Sequence, residues 1–122
     1  MKRYVIQSIA IIIFLLLVFP SCKKQFVWSP GSPLPREMVK IGVIHYYEIH
    51  SDSVYDYAHY IGIREMQKNI GIEDSQIIHK VNVFSGDPAA IEEAIRDCIA
   101  QGANIIIATS WGFMDTCEKL AQ

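Results

Sequence analysis

Hydrophobic and polar positions alternate in four distinct ways along this chain, and the changes of pattern divide it. Residues 9–19 (IAIIIFLLLVF) are apolar without interruption. Residues 23–38 (KKQFVWSPGSPLPREM) lose all periodicity and hold Pro30, Pro33 and Pro35 with Gly31 and two serines. Prolines at that density favour extended, solvated chain. From residue 39 onward, short Val/Ile-rich runs alternate with helical stripes. Residues 39–46 (VKIGVIHY) have the near-continuous apolar character of a strand buried on both faces. Ala58, Gly62, Met66 and Ile70 recur at spacings of four, with Ile63 beside them, and predict a helix over 55–70. Asp52 or Ser53 can cap its start, and Gly71 suits the left-handed position at its end.

Residues 76–84 (QIIHKVNVF) alternate in part, as an edge strand does. Ser85-Gly86 makes a turn, and Asp87-Pro88 supplies an N-cap and a first-turn proline. Ile91, Ile95, Cys98 and Ile99 then mark one helix face up to Gly102. Residues 103–108 (ANIIIA) read as a third strand buried on both sides, and a further helix begins at Asp115. The order β-α-β-α-β-α, with right-handed crossovers, predicts an α/β fold: a doubly wound parallel sheet with helices on both faces.

The first segment reads as an address. Met1-Lys2-Arg3 is a basic start, and eleven residues of helix reach only about 16 Å, roughly half of a bilayer's hydrocarbon core. Basic start, short apolar centre and Ser21 before Cys22 describe a secretory signal peptide over 1–21. The cysteine at the cut point resembles a bacterial lipoprotein signal, with the lipid on Cys22, although Phe19 and Pro20 stand where that signal usually has Leu and a small residue. An uncleaved N-terminal anchor is the other reading. Both place the remaining chain outside the cytoplasm, at the cell membrane, with 22–38 as a tether and 39–122 as the folded part.

Charge narrows the partners. The 122 residues carry 11 basic and 13 acidic groups, and all the acids follow residue 21. Removal of Lys2 and Arg3 with the leader leaves a domain of net charge −4. A mildly acidic surface argues against nucleic acid or anionic lipid as partner. Three cysteines without a C-x-x-C pair build neither a disulfide scaffold nor a zinc or redox site.

In open parallel sheets ligands sit beyond the carboxyl ends of the strands. That rule selects loop 46–55 (YYEIHSDSVY) and loop 109–115 (TSWGFMD), both of which set aromatics beside hydroxyls and carboxylates. Such a mixture suits stacking on a flat ring and hydrogen-bonding its edge. Neither loop holds a dinucleotide or P-loop glycine pattern, a nucleophile elbow or a Cys–His pair. His45 and His79 read as packed or edge histidines, His50 as solvated, and His59 as a local partner of Tyr55 or Asp56. Trp111 and Phe113 serve equally well as core anchors for the last helix or as ligand contacts.

The stretch Asp52-Ser53-Val54-Tyr55-Asp56-Tyr57-Ala58-His59, with Gly62 after it, resembles the Asp-x-Gly-Trp-Ser-Tyr-x-His signature of the basic membrane protein family. Gln101-Gly102-Ala103 and Thr109-Ser110-Trp111-Gly112-Phe113-Met114-Asp115 are similar to a second segment of that family. Its members are substrate-binding lipoproteins of ABC transporters, purine nucleoside receptors among them. The resemblance spans 39–122. It implies half of a type I periplasmic-binding-protein lobe, a nucleoside-like ligand, no cofactor or metal, and a transporter permease as partner. Carried over by residue, it implies ligand contacts from Asp52, Tyr55, Ser110, Trp111 and Gly112. Val54 and Tyr55 replace the family's Gly and Trp, which alters the pocket, and the family's second lobe has no counterpart here. A small flavodoxin-like α/β enzyme and a tethered interaction module without a small ligand are the alternatives.

Overall fold

The computed structural model describes residues 31–122. The proposed signal peptide and the lipidation position Cys22 lie outside the described residues. So does most of the tether.

Three short strands alternate with three helices: β1 (Ile41–Ile44), α1 (Val54–Ile70), β2 (Ile77–Lys80), α2 (Pro88–Ala100), β3 (Ile105–Ala108) and α3 (Met114–Leu120). The sheet order is β2-β1-β3 and both pairings are parallel, so β1 is central. Ile41, Ile77 and Ile105 stand in one row, and Ile44, Lys80 and Ala108 in another. This is an α/β doubly wound parallel sheet, as the alternation of elements implies.

Side chains of successive strand residues point to opposite faces, and the core divides accordingly. Ile41 and Val43 pack with Ile63 of α1 and with Ile72. Ile44 packs on the other face with Val83, Phe113 and the α2 residues Ile91, Ile95 and Cys98. Every residue of β1 is buried, which only a central strand covered by helices on both sides achieves. Gly42 is the point where α2 comes closest: a Cβ there would lie 2.6 Å from Cβ of Cys98 and 2.9 Å from Cδ1 of Ile106. Any side chain at Gly42 would force the helix off the sheet.

The local signals for α2 and for the end of α1 act as read. Asp87 caps α2, its Oδ1 accepting from the amides of Ala89 (3.1 Å) and Ala90 (3.0 Å). Gly71, at φ 68°, closes α1. The start of α1 differs: Ser53 holds the N-cap position, and no side chain caps the helix there.

Three burial expectations need correction. The buried line of α1 runs through Asp56, Ile63 and Gln67, whereas Ala58 and Gly62 are exposed. Apolar identity misled here, because the polar members of the true face find partners. Gln67 donates to Asp74 at 2.7 Å, beside the Arg64–Asp74 ion pair. The third strand is not buried on both sides, because β3 is an edge and Ile105 is 42% exposed. Along α2, Ala94 is buried and Ile99 is half-exposed.

The end of the tether touches the domain. Arg36–Met38 forms a 3-10 turn. Gln76 Nε2 donates to the carbonyls of Arg36 (2.9 Å) and Val39 (2.6 Å), and Asn104 Nδ2 donates to that of Met38 (2.6 Å). Partly exposed ion pairs join Lys80 of β2 to Asp97 of α2 and Lys119 of α3 to Glu92 of α2, which also pairs with Arg96 one turn along its own helix. Such pairs contribute little each. No helix among the described residues is long and apolar enough to cross a membrane.

Candidate binding cleft

The carboxyl ends of β1 and β2 open into a cleft of about 520 Å³, lined among others by Tyr47, Glu48, His50, Asp52, Tyr55 and Asn82. Three local choices shape it. Asn82 takes a left-handed backbone conformation, φ 59°, which Asn tolerates better than most residues. Its Nδ2 donates to Glu48 Oε1 at 2.7 Å, so the β2 end holds the middle of the 46–53 loop. Because α1 takes no side-chain cap, the exposed Asp52 carboxylate is not spent on the helix start and faces the cleft.

Tyr55 joins the two sequence-selected loops. Its hydroxyl donates to the carbonyl of Thr109 at 2.6 Å, which fixes the ring between the β1 and β3 ends. His59 lies beside it, with ring centroids 4.5 Å apart and Nδ1 at 2.8 Å from the Tyr55 carbonyl. His59 is thus a local partner of Tyr55, one helical turn away. His50 is exposed at the rim.

The second loop divides its residues between structure and surface. Ser110 accepts from the Gly112 amide at 3.4 Å and caps the 3-10 turn Trp111–Phe113. Gly112 lies against Ser85, where a Cβ would come within 2.4 Å of the serine Cβ. Phe113 is fully buried and Trp111 is 87% exposed. Phe113 is therefore the anchor, and Trp111, two residues after Thr109, is turned to solvent. Ser110, Trp111 and Gly112 do not line the 520 Å³ cleft.

Sequence reasoning missed the buried polar cluster behind the cleft. Asp56 is completely buried, and its two oxygens accept from the amides of Tyr46 (3.1 Å) and Tyr47 (3.3 Å). His45, also completely buried, has Nδ1 at 3.7 Å from Asp56 Oδ1 and Nε2 at 3.0 Å from His79 Nδ1. That His45 Nδ1 has no hydrogen-bond partner within reach. Burial pushes the His45 pKa down to about 4, the neighbouring His79 adds to the shift, and Asp56 opposes it. Burial, with Arg64 nearby, lowers His79 as well. No local signal marked it: His45 and His79 share one sheet face only through the register that pairs residues 43 and 79, and Asp56, seven residues before Ile63, falls on the buried line of α1.

Cys98 and Cys117 are free thiols, and burial raises the pKa of each. Among the described residues no group of three or more His, Cys, Asp and Glu is placed to hold a metal ion. Compared with known proteins, the chain matches no family model, no curated protein and no solved structure.

Proposed function

We propose that this chain binds a small planar, hydroxyl-bearing molecule of the nucleoside class in the β1–β2 cleft. In this reading it serves an ABC transporter permease as an extracytoplasmic substrate-binding lipoprotein, held at the cell membrane through Cys22, and carries out no catalysis. The observation that supports the cleft is the convergence of the Asp52 carboxylate with the rings of Tyr47 and Tyr55 at the carboxyl edge of a parallel sheet. A carboxylate matches ribose hydroxyls or a purine N–H, and aromatic faces match a base. The half-exposed Tyr55 ring is held rigidly by Thr109, so little rotamer freedom is lost on stacking. The lipoprotein and transporter parts of the proposal rest on the signal-like N-terminus and the family resemblance.

Ligand-observed NMR and calorimetry with adenosine and guanosine test the cleft. A charged hydrogen bond contributes about 1.5–3 kcal/mol, so Asp52→Ala is expected to weaken binding at least about tenfold. Tyr55→Ala is expected to weaken it by a smaller factor. Binding that both variants leave unchanged, or no binding by the parent, overturns the nucleoside reading. The anchor has its own test, mass spectrometry of membrane-extracted protein. A lipid is expected on a peptide beginning at Cys22, and an intact Met1 on the mature chain would refute it.

A further inference from the structure

The amides of Tyr46 and Tyr47 are the last main-chain donors before the cleft, and both point inward to one buried carboxylate on α1. Tyr47 and Glu48, which follow directly, line the cleft. The main chain therefore leaves the sheet in a direction set by Asp56, with the Asn82–Glu48 side-chain bond holding the loop further along. Asp56 in turn faces His45, which faces His79 on the neighbouring strand.

The order of protons in this chain follows from its distances. Two imidazole nitrogens 3.0 Å apart need one N–H and one lone pair between them. If His45 carried its proton on Nε2, its Nδ1 lone pair would face the Asp56 carboxylate at 3.7 Å in a site closed to water. With the proton on Nδ1, the N–H dipole points at the carboxylate instead, and Nε2 accepts from His79 Nδ1–H. The second arrangement is favoured electrostatically, and most strongly where burial lowers the dielectric. It also accounts for the buried nitrogen without a hydrogen-bond partner: His45 Nδ1 is aimed at Asp56 from just beyond bonding range.

We propose that Asp56 is the positioning residue of the cleft, holding the 46–48 main chain through two amides while a directed chain, His79 to His45 to Asp56, orients it. Asp56 does not touch the ligand; it acts through Tyr47 and Glu48. The chain needs a lone pair on His45 Nε2. A proton gained there either forces His79 to give up its Nδ1 proton or parts the rings, and either outcome changes the charge beside Asp56 and disturbs the loop. The charged and titratable groups around it are Asp56 and His59 of α1 facing His45, and Arg64 and Tyr60 of α1 facing His79. For its consequence on affinity the proposal rests on the nucleoside reading, but its test stands apart from that reading.

The test is NMR of the full chain without ligand. Imidazole ¹⁵N and ¹³C shifts at neutral pH should show both His45 and His79 protonated on Nδ1. On acidification the Tyr46 and Tyr47 amide resonances should move with the His45 titration. In Asp56→Asn, whose side chain offers one acceptor oxygen instead of two, the Tyr46 and Tyr47 amides should exchange with solvent about tenfold faster or more, while those of Ile95 and Cys98 in α2 keep the parent rate. A His45 ring protonated on Nε2, or loop amides that stay still while His45 titrates, overturns the proposal, and both are read on the parent even if Asp56→Asn does not fold. Unchanged amide exchange in a folded Asp56→Asn overturns it as well. Adenosine titration of the same samples is a separate arm. Failure of the parent to bind removes the nucleoside reading and leaves the loop assignment to the spectra.

Discussion

Phe113→Ala is expected to destabilise the domain by about 3–5 kcal/mol, the usual range for deleting a fully buried Phe. Phe113 has no exposed surface and belongs to the cluster that holds Ile44, Val83, Ile91 and Ile95. It is the last residue of the 3-10 turn Trp111–Phe113, so the ring also ties the 109–113 loop to the sheet. A domain of this size has about 5–15 kcal/mol of stability at most, so the variant should be largely unfolded at modest urea or well below the parent melting temperature. Trp111→Ala, two residues away at an 87% exposed position, is the matched control. It should change stability by less than about 0.5 kcal/mol. Urea denaturation followed by circular dichroism separates the two. A loss below about 1 kcal/mol for Phe113→Ala would mean that the core can close over the missing ring.

Acid is expected to weaken the fold before the carboxylates titrate. His45 binds its proton near pH 6.5 when unfolded and only near 4 when folded. Between those values the unfolded chain holds a proton that the folded chain does not, so stability falls as pH falls. It is fully present above about pH 6.5 and is lost on the way down to about 4. For His45 alone the loss is at most on the order of 3 kcal/mol. His79, whose pKa is also depressed, acts in the same direction. Asp74, Glu92 and Asp97, held low by hydrogen bonds and ion pairs, add their losses only at lower pH. Urea midpoints at pH 7, 5.5 and 4.5 give the comparison. A flat profile over that range would show that His45 charges as easily inside the fold as outside it.

Much of this architecture follows from local chemistry that a sequence carries openly. The apolar β1 run predicts a strand covered on both faces, and burial of all four of its residues bears that out. Asp87-Pro88 and Gly71 place a helix start and a helix end because capping geometry needs only neighbouring residues. Parallel pairing follows from the strand–helix alternation, and with it the sheet edge where loops 46–55 and 109–115 emerge. Of the contacts that the family resemblance implies within those loops, Asp52 and Tyr55 line the cleft and Ser110, Trp111 and Gly112 do not.

Other features depend on which strands become neighbours, and no local pattern encodes that. Ile105–Ala108 has the composition of a central strand, yet β3 is the edge of the β2-β1-β3 sheet. The α1 stripe drawn through Ala58 and Gly62 misses the face that is buried. Asp56 and Gln67 belong there because tertiary partners, the loop amides and Asp74, compensate the cost of burying polar groups. Trp111 and Phe113 are two residues apart and equivalent by composition. The close contact of Gly112 with Ser85 and the Ser110 cap turn one ring into the core and the other to solvent. His45, Asp56 and His79 come from a strand, a helix and a second strand, and each looks ordinary in its own segment. By itself the sequence determined the elements, their order and the sheet edge that carries the cleft, since those rest on short-range sterics and periodicity. Only the tertiary structure decided which polar side chains share one water-excluded space behind that cleft, because burial and pairing are properties of contacts between distant segments.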